Sequence, residues 1–181
     1  MASLPQLKMK IDGLTSFSMP PLPPEAEVTT HRDGDEAEWE SIIESAFGSH
    51  FDFSFLKGAV QYDPGFVYYI SVGHRKIATV TATHNPAYPG NGWLSMVGVH
   101  RDFAGRGYGK ALVMIALDAL KRRGYPSAML STDDDRIPAL CTYLSSGFVP
   151  FISHESHPRR WRDLAAKLPE RFAPAILSSL G

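Results

Sequence analysis

The sequence predicts a mixed α/β (α+β) fold with a central, mostly antiparallel sheet flanked by helices. Two patterns carry this prediction. Residues 66–72, 76–83 and 93–100 are segments rich in β-branched and aromatic residues, and they are joined by turns and loops, as in antiparallel strands. From residue 101 onward, segments with helical periodicity alternate with apolar extended segments. A sheet with helices packed on it is the architecture that buries both kinds of element.

The N-terminal end predicts a tail. Residues 1–24 mix Ser, Pro and isolated apolar residues, and they end in Pro20-Pro21-Leu22-Pro23-Pro24, which favours polyproline II and cannot continue a helix. We therefore expect a Pro-rich tail over residues 1–24 and one domain over residues 25–181 of the 181-residue chain.

The first half of this domain predicts a strand, two helices and three strands. Residues 27–32 form a β-branched segment, and in residues 36–47 the side chains of Trp39, Ile42 and Ile43 recur at helical spacing. Residues 51–59 predict a second short helix. The turn at residues 73–75 makes a hairpin, and a Pro- and Gly-rich loop precedes the third strand.

The second half predicts a Gly-rich turn followed by alternating helices and strands. Residues 110–123 have the Ala and Leu content of a helix, and three basic residues precede the Gly124 that ends it. The expected elements after it are a strand at 128–132, a helix at 135–146 and a strand at 148–152. Residues from about 153 to 181 predict a basic, helical appendage.

Composition excludes several classes of function. The 18 Lys and Arg residues balance 19 Asp and Glu residues, for a formal net charge of −1, so the chain lacks the positive field of a nucleic-acid binder. Cys141 is the single cysteine, which excludes an intramolecular disulfide and a thiolate cluster. No stretch resembles a signal peptide or the roughly 20 apolar residues of a membrane span. We expect a cytoplasmic protein with no membrane or nucleic-acid partner.

A metal site is also not expected. His154 and His157 are three residues apart with Pro158 following, whereas the zinc-binding helix of metalloproteases needs two histidines four residues apart.

The turn Gly105-Arg106-Gly107-Tyr108-Gly109 predicts an anion site, because successive backbone N–H groups at a helix N-terminus attract phosphate. A purely structural turn is the alternative. A P-loop is excluded, since no Gly-Lys-Ser/Thr ending is present. Asp133 to Asp135 follow the next strand, as a dinucleotide-binding fold requires, but the hairpin-connected strands before the turn disfavour that fold.

Residues Val97 to Leu112 resemble the acyl-CoA-binding motif of the GNAT superfamily of N-acetyltransferases. The resemblance implies a sheet splayed at the CoA-binding strand, with Val97 and Val99 pairing with the pantetheine arm of acetyl-CoA. It also implies that the CoA pyrophosphate is held by the turn and the start of the helix, at Gly105, Arg106, Gly107, Tyr108, Gly109 and Lys110. The family's leading Arg or Gln falls on Ala104, so we expect weaker anchoring, with help from Arg106, Arg101 or the backbone alone.

Residues 136–148 resemble the second stretch of the family pattern, with Ala139, Tyr143, Gly147 and Phe148 in register. The family's Asn and Leu positions hold Arg136 and Thr142. The resemblance implies that Tyr143 is the general acid that protonates the departing CoA thiolate, whereas an ordinary tyrosine in such a helix packs at the edge of the core.

A general base for the acceptor amine has weaker support. The family often places a Glu or a water-relaying group near the central strands, but no carboxylate lies between Arg75 and Arg101. His84, at the end of the second hairpin strand, is the leading candidate, and an ordinary surface histidine is the alternative. Asp133 and Asp134 either attract a cationic amine or form a solvated cluster.

The sequence and the resemblance together predict an acetyl-CoA-dependent N-acetyltransferase, which passes the acetyl group directly to a primary amine in a ternary complex. Acetyl-CoA is the expected co-substrate, and a small molecule or peptide supplies the amine. A homodimer is compatible with the resemblance, although no segment requires one. The alternatives are a non-catalytic protein that binds or senses acyl-CoA and a nucleotide-binding domain.

Overall fold

The computed structural model describes residues 4–59 and 62–181, and its centre is a seven-stranded sheet. The strands lie in the order β2-β3-β4-β5-β6-β1-β7, and β5 and β6 are the one parallel pair among the described strands. Their bounds are β1 Leu7–Asp12, β2 Glu27–Thr30, β3 Val67–Val72, β4 Arg75–His84, β5 Gly92–Val99, β6 Ser127–Thr132 and β7 Val149–Phe151.

Six α-helices accompany the sheet in the described part of the chain. They are α1 Glu36–Phe47, α2 Phe53–Ala59, α3 Tyr108–Arg122, α4 Ile137–Ser145, α5 His157–Ala165 and α6 Ala173–Ser178. The mixed, mostly antiparallel fold class predicted from the sequence is confirmed, and the predicted helices at 36–47, 110–123 and 135–146 correspond to α1, α3 and α4.

The predicted N-terminal tail is wrong for residues 7–12. These residues form β1, which pairs on one side with β6 and on the other with β7. Leu7 and Met9 are completely buried, while Lys8 and Lys10 alternate with them. The sequence Leu-Lys-Met-Lys-Ile-Asp therefore carries the alternating pattern of a half-buried strand, which the nearby proline-rich segment obscured.

The helices pack on the sheet around two clusters of buried side chains. Trp39, Ile42 and Ile43 of α1 pack with α2 and β3 in the smaller cluster, whereas α3 supplies ten buried residues to the other side of the fold. At Gly98 of β5, an added Cβ would lie 2.9 Å from Cδ1 of Ile43, so glycine permits the close approach of α1. This contact holds α1 beside the second half of β5.

The C-terminal segment is attached to the fold by both apolar and charged contacts. Trp161 of α5 is completely buried in the larger core. Arg160 donates to both carboxylate oxygens of Asp134, just after β6, and to the backbone oxygen of Pro5. Asp134 is therefore part of a structural ion pair. Across residues 4–59 and 62–181, no helix has the length and apolar content that crossing a membrane requires.

The position of β1 predicts that its buried residues determine stability. Met9→Ala removes a side chain with no exposed surface, and we expect it to lower the free energy of unfolding by about 2 to 5 kcal/mol. Urea denaturation measures the change. Asp12→Ala is the control on the same strand, because it removes only an exposed ion pair with Lys10, worth about 0 to 1 kcal/mol. An equal free energy of unfolding for the two variants would contradict the placement of β1 between β6 and β7.

Candidate active site

The candidate site begins where β5 and β6 separate. The two strands pair only from Gly92 to Leu94 and from Ala128 to Leu130. Beyond Leu94, β5 contains a bulge opposite β4, and Met96 adopts a left-handed conformation with φ of 49°, which is uncommon for a residue with a side chain. Such strained backbone is often found at functional sites. The diverging strands open a cavity of about 870 Å³.

Several elements of the fold form the wall of this cavity. Aromatic side chains come from α1, α2 and the loop between them, backbone and small side chains come from the diverging strands, and charged side chains come from the β6–α4 loop. The lining includes Gln6, Phe47, Phe51, Phe55, Asn85, Ser95, Met96, Val97, Asp133, Asp135, Arg136, Ala139 and Tyr143. The cavity therefore combines an apolar side with a charged one.

Tyr143 of α4 reaches this cavity from the protein interior. Its side chain is only 6% exposed, and its ring packs edge-on against Phe148. Burial raises the pKa of the Tyr143 phenol to about 12, although the positive charge of Arg136 acts in the opposite direction. Among the described residues none hydrogen-bonds to the Tyr143 hydroxyl. The phenol is therefore a neutral group whose proton is available for donation into the cavity.

The glycine turn ends in an exposed helix N-terminus. Gly105 and Gly107 have φ values of 76° and 87°, and Gly107 immediately precedes α3. The N–H of Ala111 donates to the carbonyl of Gly107, which is the first hydrogen bond of the helix. The N–H groups of residues 107–110 have no acceptor within the described chain. These donors and the positive end of the helix dipole make the turn a candidate anion site.

The side chains of the turn differ in what they can contribute. Tyr108 is buried and its hydroxyl donates to Oε1 of Glu25 at 2.5 Å, a hydrogen bond that lowers the pKa of Glu25. Its phenol therefore anchors the helix, and only its backbone N–H faces the anion site. Arg106 and Lys110 are exposed. The Arg106 guanidinium donates to the backbone oxygen of Asp102 and lies 5.3 Å from the ring centre of Phe103.

Two arginines share the Phe103 ring beside the turn. Arg75, the first residue of β4, lies 5.4 Å from the centre of this ring, close to the distance of Arg106. Sequence reasoning missed Arg75, since only the fold brings this hairpin to the turn. Arg101 contacts α1, where its backbone N–H and its Nε both donate to Ser45. Its expected help in place of the family side chain at Ala104 stays a prediction.

The structure brings the two sequence motifs together. A Cβ placed on Gly109 lies 3.9 Å from Cγ2 of Val99 and 3.7 Å from Oγ1 of Thr142, so the end of β5, the start of α3 and the side of α4 meet there. Val97 and Tyr143 line the same cavity. His84 is placed differently: it pairs with Gly92 at the end of β4, and the cavity wall includes its neighbour Asn85 but not His84.

Three charged groups line the cavity, and of these the sequence had offered only Asp133, as a residue that could attract a cationic amine. Asp133 accepts from Nε2 of Gln6 with both carboxylate oxygens, at 3.1 and 3.0 Å. Asp135 and Arg136 follow it in the chain and line the same wall. A second feature of the sequence that pointed to this charged wall was Arg136, which stands where the family pattern has Asn. No group of three or more His, Cys, Asp or Glu side chains in residues 4–59 and 62–181 is arranged to hold a metal ion.

Comparison with known families and proteins agrees with this arrangement. The model of the acetyltransferase (GNAT) family matches residues 28–148. A mycothiol acetyltransferase of Streptomyces bingchenggensis is 33% identical over 73% of this chain and 46% of its own length. One from Streptomyces coelicolor is 30% identical over 84% of this chain and 51% of its own. The chain thus spans about half the length of the curated relatives it matches.

A solved structure shows the same fold. A GCN5-related N-acetyltransferase from Sphaerobacter thermophilus superimposes with a TM-score of 0.67 and 24% identity, over 82% of this chain and 50% of that one. The splayed pair of strands described above is therefore part of a fold that other proteins share.

The geometry of the turn predicts different effects of alanine at two glycines. Gly107→Ala places a side chain in the left-handed region, and we expect a loss of about 1 to 2 kcal/mol of stability. Gly109→Ala introduces only ordinary contacts of 3.7 Å or more, so its stability should change by less than about 1 kcal/mol. Thermal unfolding of both variants measures the difference. An equally stable Gly107→Ala protein would show that the turn adopts another conformation.

Proposed function

Because the chain belongs to the acetyltransferase (GNAT) family, we propose that it transfers an acetyl group from acetyl-CoA to a primary amine by direct attack in a ternary complex. The observation that carries the proposal is the position of Tyr143. Its buried, neutral phenol lines the opening between β5 and β6, and the turn before α3 offers unpaired backbone donors close by.

In this proposal the N-terminus of α3 holds the CoA pyrophosphate. The N–H groups of residues 107–110 supply hydrogen bonds, and the exposed Arg106 and Lys110 supply positive charge. The pantetheine arm then lies along the open edge of β5 at Val97 and Val99, because β6 no longer pairs with this part of the strand. Acetyl-CoA is the co-substrate that the family uses, and it places its thioester near Tyr143.

The reaction requires one bond to form and one to break. The amine nitrogen attacks the thioester carbon, the new C–N bond forms, and the C–S bond breaks to release the CoA thiolate. The hydroxyl of Tyr143 donates its proton to that sulfur, which prevents the thiolate from attacking the amide product. Burial raises the pKa of this phenol to about 12, so it is protonated before transfer, and the proton that the amine gives up returns to the phenoxide through a base or water.

The amine must also lose a proton. An alkyl ammonium with a pKa near 10.4 is about 99.9% protonated at pH 7, so a base or water must accept this proton. The base role expected for His84 stays a prediction, since His84 borders Asn85 without lining the cavity. Asp133 and Asp135 place negative charge on the cavity wall, which attracts the protonated amine before transfer.

Ligand binding provides the first test. We expect acetyl-CoA to raise the unfolding temperature of the protein, and ATP and NAD to leave it unchanged. An acetyl-CoA shift together with release of free thiol from a panel of amines supports the proposal. The absence of any acetyl-CoA shift would contradict it.

Substitution of the proposed acid separates catalysis from binding. Tyr143→Phe removes the hydroxyl and keeps the ring, and we expect turnover to fall by about 10² to 10⁴ while acetyl-CoA affinity stays within about threefold. His84→Ala should lower turnover by less than about tenfold, because His84 lies outside the cavity wall. Thiol-release kinetics and titration with acetyl-CoA measure the two quantities. Unchanged turnover in Tyr143→Phe would remove this residue from the mechanism.

A further inference from the structure

Arg136 is a half-buried cation on the wall of the cavity. It immediately precedes α4, and its guanidinium carbon lies 4.0 Å from the ring centre of Phe47 in α1. A guanidinium that stacks by its face keeps its N–H donors in the plane of the group, directed away from the ring. Phe47 therefore fixes the position of Arg136 without using its hydrogen-bonding capacity.

Arg136 has no anionic partner among the described residues. It forms no ion pair and donates no side-chain hydrogen bond, although two carboxylates line the same wall. Asp133 accepts its hydrogen bonds from Gln6 instead. The contrast with Arg160 is informative, since that arginine is saturated by Asp134 and the backbone of Pro5. The cavity thus contains an unpaired guanidinium as well as carboxylates.

This charge arrangement does not suit an acceptor whose only charge is its ammonium group. Asp133 and Asp135 would attract such a ligand, but it would displace water from the Arg136 guanidinium without replacing the hydrogen bonds that are lost. An acceptor that also carries a carboxylate would pair with Arg136 through two parallel N–H···O bonds. The ammonium group of the same molecule would be attracted by Asp135, which lines the same wall and lies beside Arg136 in the chain.

The aromatic wall beside Arg136 indicates the rest of the acceptor. The rings of Phe47 and Phe51 pack edge-on with centres 5.8 Å apart, and Phe51 and Phe55 follow at 5.4 Å. Phe55 is 48% exposed and lines the cavity. A row of phenyl rings that starts at Arg136 provides an apolar surface for a hydrocarbon side chain next to the site for a carboxylate.

We propose that the acceptor is an amine that also bears a carboxylate and an apolar side chain, and that Arg136, stacked on Phe47, binds this carboxylate. The inference rests on the acetyl transfer proposed above and specifies its acceptor. A free apolar amino acid and a peptide that presents an acidic group close to its N-terminal amine share this chemistry.

Paired acceptors test the role of the carboxylate. The probes are L-phenylalanine and L-leucine, each compared with its carboxamide, and the C-terminally amidated dipeptides Phe-Glu-amide and Phe-Gln-amide, of which only the first carries a carboxylate. We expect kcat/KM for the carboxylate member of at least one pair to exceed that of its neutral partner by roughly 10- to 100-fold. A preference confined to the free amino acids identifies a free amino acid as the source of the carboxylate. A preference confined to Phe-Glu-amide identifies a peptide.

Substitution of Arg136 connects the preference to this residue. Arg136→Gln should abolish the carboxylate preference, mainly through KM, and Arg136→Lys should retain only part of it because an ammonium group cannot form the two parallel bonds. Amidation also changes amine basicity, so the ratio within each pair is compared between variants, where that effect cancels. Arg159→Gln is the matched control: Arg159 is an exposed arginine of α5 outside the cavity wall, and the ratio should not change.

The outcomes distinguish this inference from the proposed function. Acetylation with equal efficiency of the carboxylate and neutral members, or a preference that survives in Arg136→Gln, overturns the role of Arg136 and leaves acetyl transfer intact. Lack of acetyl-CoA binding overturns the proposed function itself. If Arg136→Gln unfolds, Phe47→Leu provides the second variant, because loss of the stacking ring should reduce the same ratio.

Discussion

The separation of β5 from β6 is the constraint on which the rest of the site depends. Two neighbouring parallel strands normally continue to pair, but here pairing ends at Leu94 and Leu130. The bulge at Met96 and the close packing of α1 on Gly98 accompany the divergence of the second half of β5 from β6. As a result one strand keeps unpaired backbone groups within the protein, and the opening beside them is large enough for a ligand.

The same opening determines the electrostatics of the site. Tyr143 is buried by the elements that border the opening, and this loss of water keeps its phenol neutral. Arg136, which is half-buried, and Asp135, which is exposed, line the charged side of the same cavity. The proposed binding of an anionic co-substrate is compatible with a formal net charge of −1, because the proposed donors are backbone N–H groups and a few positioned cations.

The residues of the two motifs were predictable because each motif is local. A glycine turn before a helix exposes backbone donors wherever it occurs, so the anion site at the start of α3 needed no knowledge of the whole fold. The position of β1 was not predictable in the same way. Its alternating pattern is visible, but that it lies between β6 and β7 depends on pairing with segments more than 100 residues away. For the same reason the sequence did not connect Arg75 with Phe103, or Arg136 with Phe47.

The sequence by itself determined the fold class, because periodicity and turn chemistry act over a few residues, and two local motifs carried the resemblance to the family. Only the tertiary structure decided which side chains face one another across the opening. It placed Tyr143 and Arg136 on the cavity wall, left His84 outside it, and used Asp134 for the ion pair that holds α5. These outcomes depend on where distant segments pack and how much water they exclude, and neither quantity is encoded in a local pattern.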